Sequence, residues 1–158
     1  MKAPGFLLYG LRYAHDIFLS LVRPVTPSVR IILVKEGKTL LIHHTYADKW
    51  YIPGGGVKRG ETLAQCAARE AWEETGAVLR SEPQLLGIYY YQVLGRSDHV
   101  AVYASDDFDL APPPASWEIA GRAWFALDNL PPNMNMASRA RIAEYLADGG
   151  PYAASWMP

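Results

Sequence analysis

The sequence predicts an α/β fold, a mixed β-sheet flanked by helices. Three observations predict it. Short runs rich in β-branched and aromatic residues, bounded by glycine-containing turns, recur along the chain and read as strands and hairpins. Two stretches of strong helix formers interrupt them, one central and one near the C-terminus. Half of the 158 residues are hydrophobic, enough for one domain with its own core and too few residues for two. Strands interspersed with helices in this order put the helices over a sheet.

The elements follow in order. Residues Phe6 to Val22 are mostly apolar, but Arg12, His15 and Asp16 interrupt them. No uncharged run reaches the ~18 residues of a membrane span. A secretory signal would need an uninterrupted apolar core and a small-residue cleavage site. Residues 1–24 therefore read as an amphipathic helix, ended by Pro24 and Pro27. Such a helix packs on its own domain or on a second copy, which would make a homodimer. Few basic residues line its polar face, which argues against a membrane-surface anchor. The domain proper is expected over 25–158.

Val29 to Val34 and Thr39 to His43 form a hairpin about Lys35-Glu36-Gly37-Lys38. Trp50-Tyr51-Ile52 is a short strand stopped by Pro53-Gly54-Gly55-Gly56. Thr62 to Thr75 is helical and Gly76 closes it. Gln84 to Leu94 and His99 to Ser105 are strands joined by a turn at Gly95-Arg96-Ser97-Asp98. Leu110 to Ser116, with three consecutive prolines, is a loop. Glu118 to Ala126 is a strand. Asn135 to Ala147 is a helix with an apolar stripe at Ile142, Tyr145 and Leu146.

Charge narrows the function. Fifteen basic and 16 acidic residues give a net charge of -1. A broad, sequence-blind nucleic-acid surface needs a basic excess, so nucleic acid is not the expected partner. A small anionic ligand held through metal ions remains open. The single cysteine, Cys66, excludes an internal disulfide and a zinc site of several cysteines. Cytoplasmic location fits this cysteine usage.

The informative stretch runs from Gly55 to Ala77, GGVKRGETLAQCAAREAWEETGA. A glycine-rich turn, able to approach a ligand closely, leads into a helix. Glu61 and Thr62 supply an acid and a hydroxyl at the helix start. Glu70, Glu73 and Glu74 then recur at i, i+3 and i+4, on one side of the helix. Carboxylates crowded in this way repel one another unless protonated, solvated or neutralised by cations. Most glutamate-rich helices are simply solvated faces. The alternative is a site for Mg²⁺, which prefers oxygen ligands and needs only a few carboxylates when phosphates and waters complete its shell. One carboxylate not committed to metal is then available to deprotonate a water.

The stretch resembles the Nudix box, G-x5-E-x7-R-E-U-x-E-E-x-G-U, with U a bulky aliphatic residue. Gly55, Glu61, Arg69, Glu70, Glu73, Glu74 and Gly76 match at every spacing. Ala71 and Ala77 stand at U positions and are smaller than the pattern asks; in the family those positions face the core. The lead-in Trp50-Tyr51-Ile52-Pro53-Gly54-Gly55 and the later stretch Glu118 to Pro131 are similar to the family as well, so the resemblance covers roughly Thr26 to Ala147.

The resemblance implies an α/β/α sandwich and hydrolysis of a diphosphate bond in a nucleotide-like small molecule, with Mg²⁺ (or Mn²⁺) as cofactor. It implies Glu74 as central metal ligand, Glu73 beside it, and Glu70 as metal ligand or general base. The Gly54 carbonyl is a further metal contact, Arg69 holds a box carboxylate in place, and Glu61 supports the helix start. Many relatives add an acid before the final strand. Glu118 is the candidate here, with Asp106, Asp107 and Asp109 as rivals.

Specificity must come from outside the box. Candidate substrate contacts are Arg30, Tyr89, Tyr91 and Asn133, with Tyr90, Tyr103, His43, His44, Lys58 and Arg59 weighed beside them. For each tyrosine the competing reading is core packing. For Asn133 or Asn135 it is a helix cap. Gln92 stands where ADP-ribose hydrolases tend to carry proline, and Leu94 and Gly95 where diadenosine-polyphosphate hydrolases tend to carry tyrosine. A nucleoside triphosphate or a nucleotide-sugar remains. A 5′-end RNA pyrophosphohydrolase and a non-catalytic Nudix-fold binding domain are the alternatives. Cys66 is expected as a small packing residue.

Overall fold

The computed structural model describes residues 25–93 and 96–158, together with Gly10, Tyr13, Ala14 and Phe18. Those four are helical and exposed; the amphipathic helix expected over 1–24 otherwise lies outside the described residues. The elements are β1 (Val25–Lys35), β2 (Lys38–His44), β3 (Trp50–Tyr51), α1 (Leu63–Thr75), β4 (Ala77–Leu79), β5 (Gln84–Val93), β6 (Arg96–Ser105), β7 (Phe108–Leu110), β8 (Ile119–Ala126), α2 (Met136–Leu146) and β9 (Tyr152–Ser155).

β1 organises the sheet, whose order is β3-β2-β1-β6-β5-β9 with β8 paired to β2. β1 runs parallel to β6 from Val25↔Ser97 to Leu33↔Ser105. It joins β2 only at the hairpin, Val34↔Thr39 and Lys35↔Lys38. The turn between them has both central residues left-handed, Glu36 at φ 51 and Gly37 at φ 73, the geometry that matches strand twist in a two-residue hairpin. β2 then leaves β1 and pairs along its whole length with β8. The edge of β1 that β2 vacates is taken by the glycine-rich loop. Val29 N donates to Gly55 O at 2.9 Å, Ile31 N to Pro53 O at 2.9 Å, and Val57 N to Pro27 O at 3.2 Å. The loop before α1 is thus bonded to the central strand.

Side chains of β1 alternate between two cores, as the period of a strand requires. Val29, Ile31 and Leu33 pack with Cys66, Ala67 and Ala71 of α1, and with Ala101, Tyr103 and Phe108. Ile32 and Val34 pack with Val100, Val102, Tyr89 and Ile142 of α2. The sheet is therefore sandwiched between α1 and α2, the expected α/β/α arrangement. Ala71 and Ala77, at the two undersized box positions, are completely buried.

Several boundaries differ from expectation. β1 begins at Val25 rather than Val29, because Val25 to Ser28 pair with β6, a partner more than 70 positions away. β6 begins at Arg96, paired with Val93 of β5, so Arg96, Ser97 and Asp98 belong to the strand and not to the expected turn. The short strands β4, β7 and β9 carry no alternation and were not expected. On α2, Ile142 is fully buried, but Leu146 is 54% exposed and lies outside the expected stripe.

Candidate active site

α1 is fixed at both ends. Thr62 caps it: its side chain accepts from Gln65 N at 3.1 Å, and Gln65 Oε1 accepts from Thr62 N at 2.9 Å, a capping box. Gly76, at φ 83, closes it, with its N–H bonded to Ala71 and Trp72 carbonyls. One helical face carries Cys66, Ala67 and Ala71 into the core. The neighbouring face carries Glu70, Glu73 and Glu74 towards the glycine loop.

Arg69 gathers the acids. Its Nε donates to Glu61 Oε1 at 2.7 Å and its Nη2 to Glu61 Oε2 at 3.0 Å, a two-pronged contact. Its Nη1 donates to Glu70 Oε1 at 2.6 Å and to Glu73 Oε2 at 3.0 Å. Nη2 also donates to the Gly56 carbonyl at 3.2 Å and contacts Cys66 Sγ at 3.2 Å. The Arg69 guanidinium holds Glu61 well below the usual carboxylate range, at about 2. Glu61 is therefore the guanidinium's fixed counter-ion, and Arg69 uses what remains of its fork to orient Glu70 and Glu73. Lys58 Nζ lies 3.5 Å from the other oxygen of Glu73.

Glu74 sits deeper. Its Oε2 accepts from Gly54 N at 2.8 Å. Gly54 is at φ 149, and a Cβ there would lie 2.1 Å from the Val29 carbonyl, so only glycine fits between α1 and β1. At Gly55 a Cβ would lie 2.5 Å from Glu70 Oε1; the missing side chain is what lets the Glu70 carboxylate rest against the loop. Burial pushes Glu74 up to about 7, only partly opposed by the Gly54 N–H and by Arg30, and Glu70 and Glu118 push it further. Burial also raises Glu70, against the pull of Arg69.

Glu118, from the segment just before β8, lines the same cleft as Glu70, Glu73 and Glu74. The cleft encloses about 320 Å³ and is lined by α1 on one side and by Pro114, Ala115, Ser116 and Glu118 on the other. The rival acids lie elsewhere. Asp109 is held by Arg80 Nε at 2.8 Å on the β4–β7 ribbon, and Asp107 lies 4.0 Å from the same arginine.

Among the described residues, no three acidic, histidine or cysteine side chains converge closely enough to hold an ion unaided. The hydrogen bonds give the reason: Arg69 draws Glu70 and Glu73 to one side, and the Gly54 N–H draws Glu74 to another. The donors nonetheless fit Mg²⁺ or Mn²⁺. They are hard oxygens, and two of them are buried carboxylates with raised proton affinity, the condition of an acid short of positive charge. Such ions complete their shells with water and phosphate oxygens.

The other candidates separate clearly. Arg30 donates to the Gly54 carbonyl and lies close enough to Glu70 and Glu74 to favour their ionised forms. The carbonyl expected to meet metal is thus already engaged, although its second lone pair remains available. Tyr89 is a correction. It is completely buried, donates its hydroxyl to Glu144 Oε2 at 2.6 Å, and has Arg141 stacked 3.9 Å from its ring centre, all on the α2 face. Strand alternation puts Tyr91 on that same face, away from α1, so neither tyrosine borders the cleft. Asn133 is exposed in the turn before α2, where its carbonyl accepts from Trp50 N at 3.3 Å. The cap of α2 is Asn135, whose Oδ1 accepts from Ser138 N at 3.0 Å. His43 meets Trp50 edge to face, and His44 stacks on Tyr46. Cys66 is buried and its thiol is pushed up to about 12, so it stays protonated and packs. Trp72, which lines the cleft, was missed: within the box it occupies a position with no assigned residue type, and only the fold shows which way it faces.

Comparison with known proteins identifies the family. A family model described as the NUDIX domain matches residues 24–146. This chain belongs to the Nudix family. Among solved Nudix structures, a MutT NUDIX hydrolase from Burkholderia pseudomallei superposes with a TM-score of 0.67 at 26% identity, covering 76% of this chain and 97% of that one. A UDP-X diphosphatase superposes with a TM-score of 0.61 at 22% identity, covering 88% of this chain and 74% of that one, which shows a shared fold. The NAD-capped RNA hydrolase NudC of Vibrio cholerae is 33% identical over 132 residues, 78% of this chain and 46% of its own length. Phosphatase NudJ of Escherichia coli is 41% identical over 59 residues, 36% of this chain and 37% of its own length. The chain thus spans less than half the length of these two curated relatives. No helix among the described residues is long and apolar enough to cross a membrane.

Proposed function

We propose that this Nudix chain hydrolyses the diphosphate bond of a small nucleotide-like molecule, a nucleoside triphosphate or a nucleotide-sugar, with Mg²⁺ or Mn²⁺. The observation that carries this reading is the convergence of Glu70, Glu73, Glu74 and Glu118 on one cleft. Glu73, Glu74, Glu118 and the Gly54 carbonyl would hold the ions, with Glu70 the alternative ligand where another group takes the proton. Divalent ions, when bound, neutralise phosphate charge and orient the diphosphate. Glu70, which lines the cleft, accepts the proton of the attacking water. Arg69 keeps that carboxylate aimed and Glu73 beside it. Glu118, entering from the opposite wall, ties the loop before β8 to the reacting group. Arg30 neutralises charge beside Gly54. The products are a nucleoside monophosphate, or a related phosphate ester, and the phosphate-bearing remainder.

The test is a screen of nucleoside triphosphates and nucleotide-sugars with Mg²⁺, scored for phosphate products by phosphorus NMR. Activity with Mg²⁺, lost with EDTA, is expected. Glu118→Gln should lower kcat by roughly a hundredfold, the lower end of a catalytic carboxylate's contribution, with the fold intact by circular dichroism. Unchanged kcat would remove Glu118 from the mechanism.

A second reading rests on the likeness to a protein named as an NAD-capped RNA hydrolase: the diphosphate would belong to an RNA 5′ end. The net charge of -1 supplies no basic track for a long RNA. Faster turnover of NAD-capped RNA than of free NAD would favour this reading.

A further inference from the structure

The acids account for one end of a substrate, the diphosphate. The same cleft has an apolar wall that they leave unused. Of the five tryptophans, Trp50 and Trp156 pack against the core on the α2 face and Trp124 against the core on the α1 face. Trp72 and Trp117 are exposed, by 42% and 64%. Single exposed aromatics are common and mean little alone. Trp72 differs in position. It is among the residues that line the cleft with Glu70, Glu73 and Glu74, and Pro114 and Ala115 line it from the segment before β8. The three consecutive prolines before Ala115 stiffen that segment. An indole, a proline ring and a methyl group from two separate segments give the cleft an apolar part, a slot whose surfaces suit a flat ring. The carboxylates line the same cleft. A nucleoside carries its flat base one pentose away from its first phosphate, so one cleft lined by both carboxylates and apolar surfaces has a partner for each part.

We propose that Trp72 is the stacking wall for the nucleobase of the substrate, and so a specificity-determining residue that selects diphosphates bearing an aromatic ring. This deepens the hydrolase reading and rests on it. The slot has no directed hydrogen-bond donors among its apolar members, so it accepts purines and pyrimidines alike, since every base has a π-face. Trp117 serves as the built-in control. It is the more exposed indole and lies between two cleft-lining residues, Ser116 and Glu118, yet it is not itself among those lining the cleft.

The experiment compares the full chain with Trp72→Ala, Trp72→Phe and Trp117→Ala. Two substrates are used, a nucleotide-sugar and 5-phosphoribosyl diphosphate, which has pentose and diphosphate but no base. With Trp72→Ala, KM for the nucleotide-sugar should rise roughly tenfold, in line with base–aromatic stacking, with kcat within about twofold. KM for 5-phosphoribosyl diphosphate should not move. Trp72→Phe should restore most of the loss, and Trp117→Ala should match the native chain. A separate arm titrates AMP and UMP against indole fluorescence. Quenching is expected in the native chain and in Trp117→Ala, and not in Trp72→Phe. An equal KM change for both substrates, no change for either, or quenching that disappears with Trp117 would each overturn the slot while leaving the hydrolase reading standing. If the native chain cleaves no diphosphate, the hydrolase reading fails on its own. The fluorescence arm then still decides the slot: quenching lost in Trp72→Phe supports it, and absent quenching overturns it.

Discussion

Glu74 concentrates the electrostatic tension of the site in one side chain. Burial raises its proton affinity from 4.5 to about 7, and the single Gly54 N–H does not compensate. The consequence for stability has a definite sign. Above pH 7 the carboxylate is ionised in folded and unfolded chains alike, and the folded state carries the full penalty of a buried charge. As pH falls from 7 to 4.5 the folded state takes up a proton that the unfolded state does not, so the metal-free protein gains stability from this group across that window. At about 1.4 kcal/mol per unit the gain is roughly 3 kcal/mol. Glu61, held at about 2, works in the opposite sense, but its contribution is lost only below 4.5 and does not overlap the window. A divalent ion competes with the same proton. Saturating Mg²⁺ should therefore raise Tm by several degrees at pH 8 and by much less at pH 5.5. In Glu74→Gln both the pH slope and its dependence on Mg²⁺ should flatten. Scanning calorimetry of the two proteins at the two pH values measures this; equal Mg²⁺ shifts at both would show that Glu74 is not the group through which metal and proton compete.

At the scale of elements, the site depends on α1 meeting the glycine loop at a fixed height, and the capping box sets that height. Thr62→Ala removes the acceptor for Gln65 N and loosens the first turn. It should cost about 1 kcal/mol, which for a domain of this size lowers Tm by roughly 2–4 °C. KM and kcat of the folded fraction should stay within about twofold, because the Arg69–Glu61 contact still holds the loop to the helix. A large kcat loss without a Tm change would mean that the first turn acts in the chemistry. This element was also the most legible in the sequence. The spacing of Glu70, Glu73 and Glu74, the capping Thr62 and the closing Gly76 are all local patterns, and a helix obeys local patterns. β1 was half legible. Its apolar stretch from Val29 announced a strand, whereas Val25 to Ser28 are extended only because β6 lies beside them. Tyr89 failed as a substrate contact for a related reason. Alternation on β5 correctly separated its two faces, but which face met α2 was decided by Glu144 and Arg141, more than 50 residues away in sequence. Glu118 and Trp72 show the two limits of spacing as a guide. The first could be read as an acid ahead of the strand that became β8, and the second had no pattern to distinguish it from any solvent-facing helical residue.

For the molecule as a whole, the sheet divides the chain into a face that works and a face that braces. The α1 face holds the cleft. The α2 face holds a buried polar clamp built on Arg141, which is 3% exposed. Its guanidinium lies 3.9 Å from the Tyr89 ring centre and 5.6 Å from that of Trp156. Its Nη2 donates to Glu144 Oε1 at 3.0 Å, and Nη1 reaches the Ser155 carbonyl at 3.3 Å. Those contacts bind the last strand, β9, which pairs with β5 from Gly87↔Tyr152 to Tyr90↔Ser155. Removing residues 150–158 would uncover Tyr89, unpair the β5 edge and leave the buried arginine without part of its partners. A buried cation deprived of partners is a severe loss. The truncated protein should lose at least about 2 kcal/mol of stability, with Tm lower by roughly 5 °C or more. The cleft draws none of its lining from α2 or β9, so kcat per folded molecule at 15 °C should be nearly that of the full chain. Active-site titration with a tight nucleotide product, run beside urea denaturation, separates the two quantities. A kcat that falls in proportion to the lost stability would show that the two faces are coupled through β1, whose side chains enter both cores.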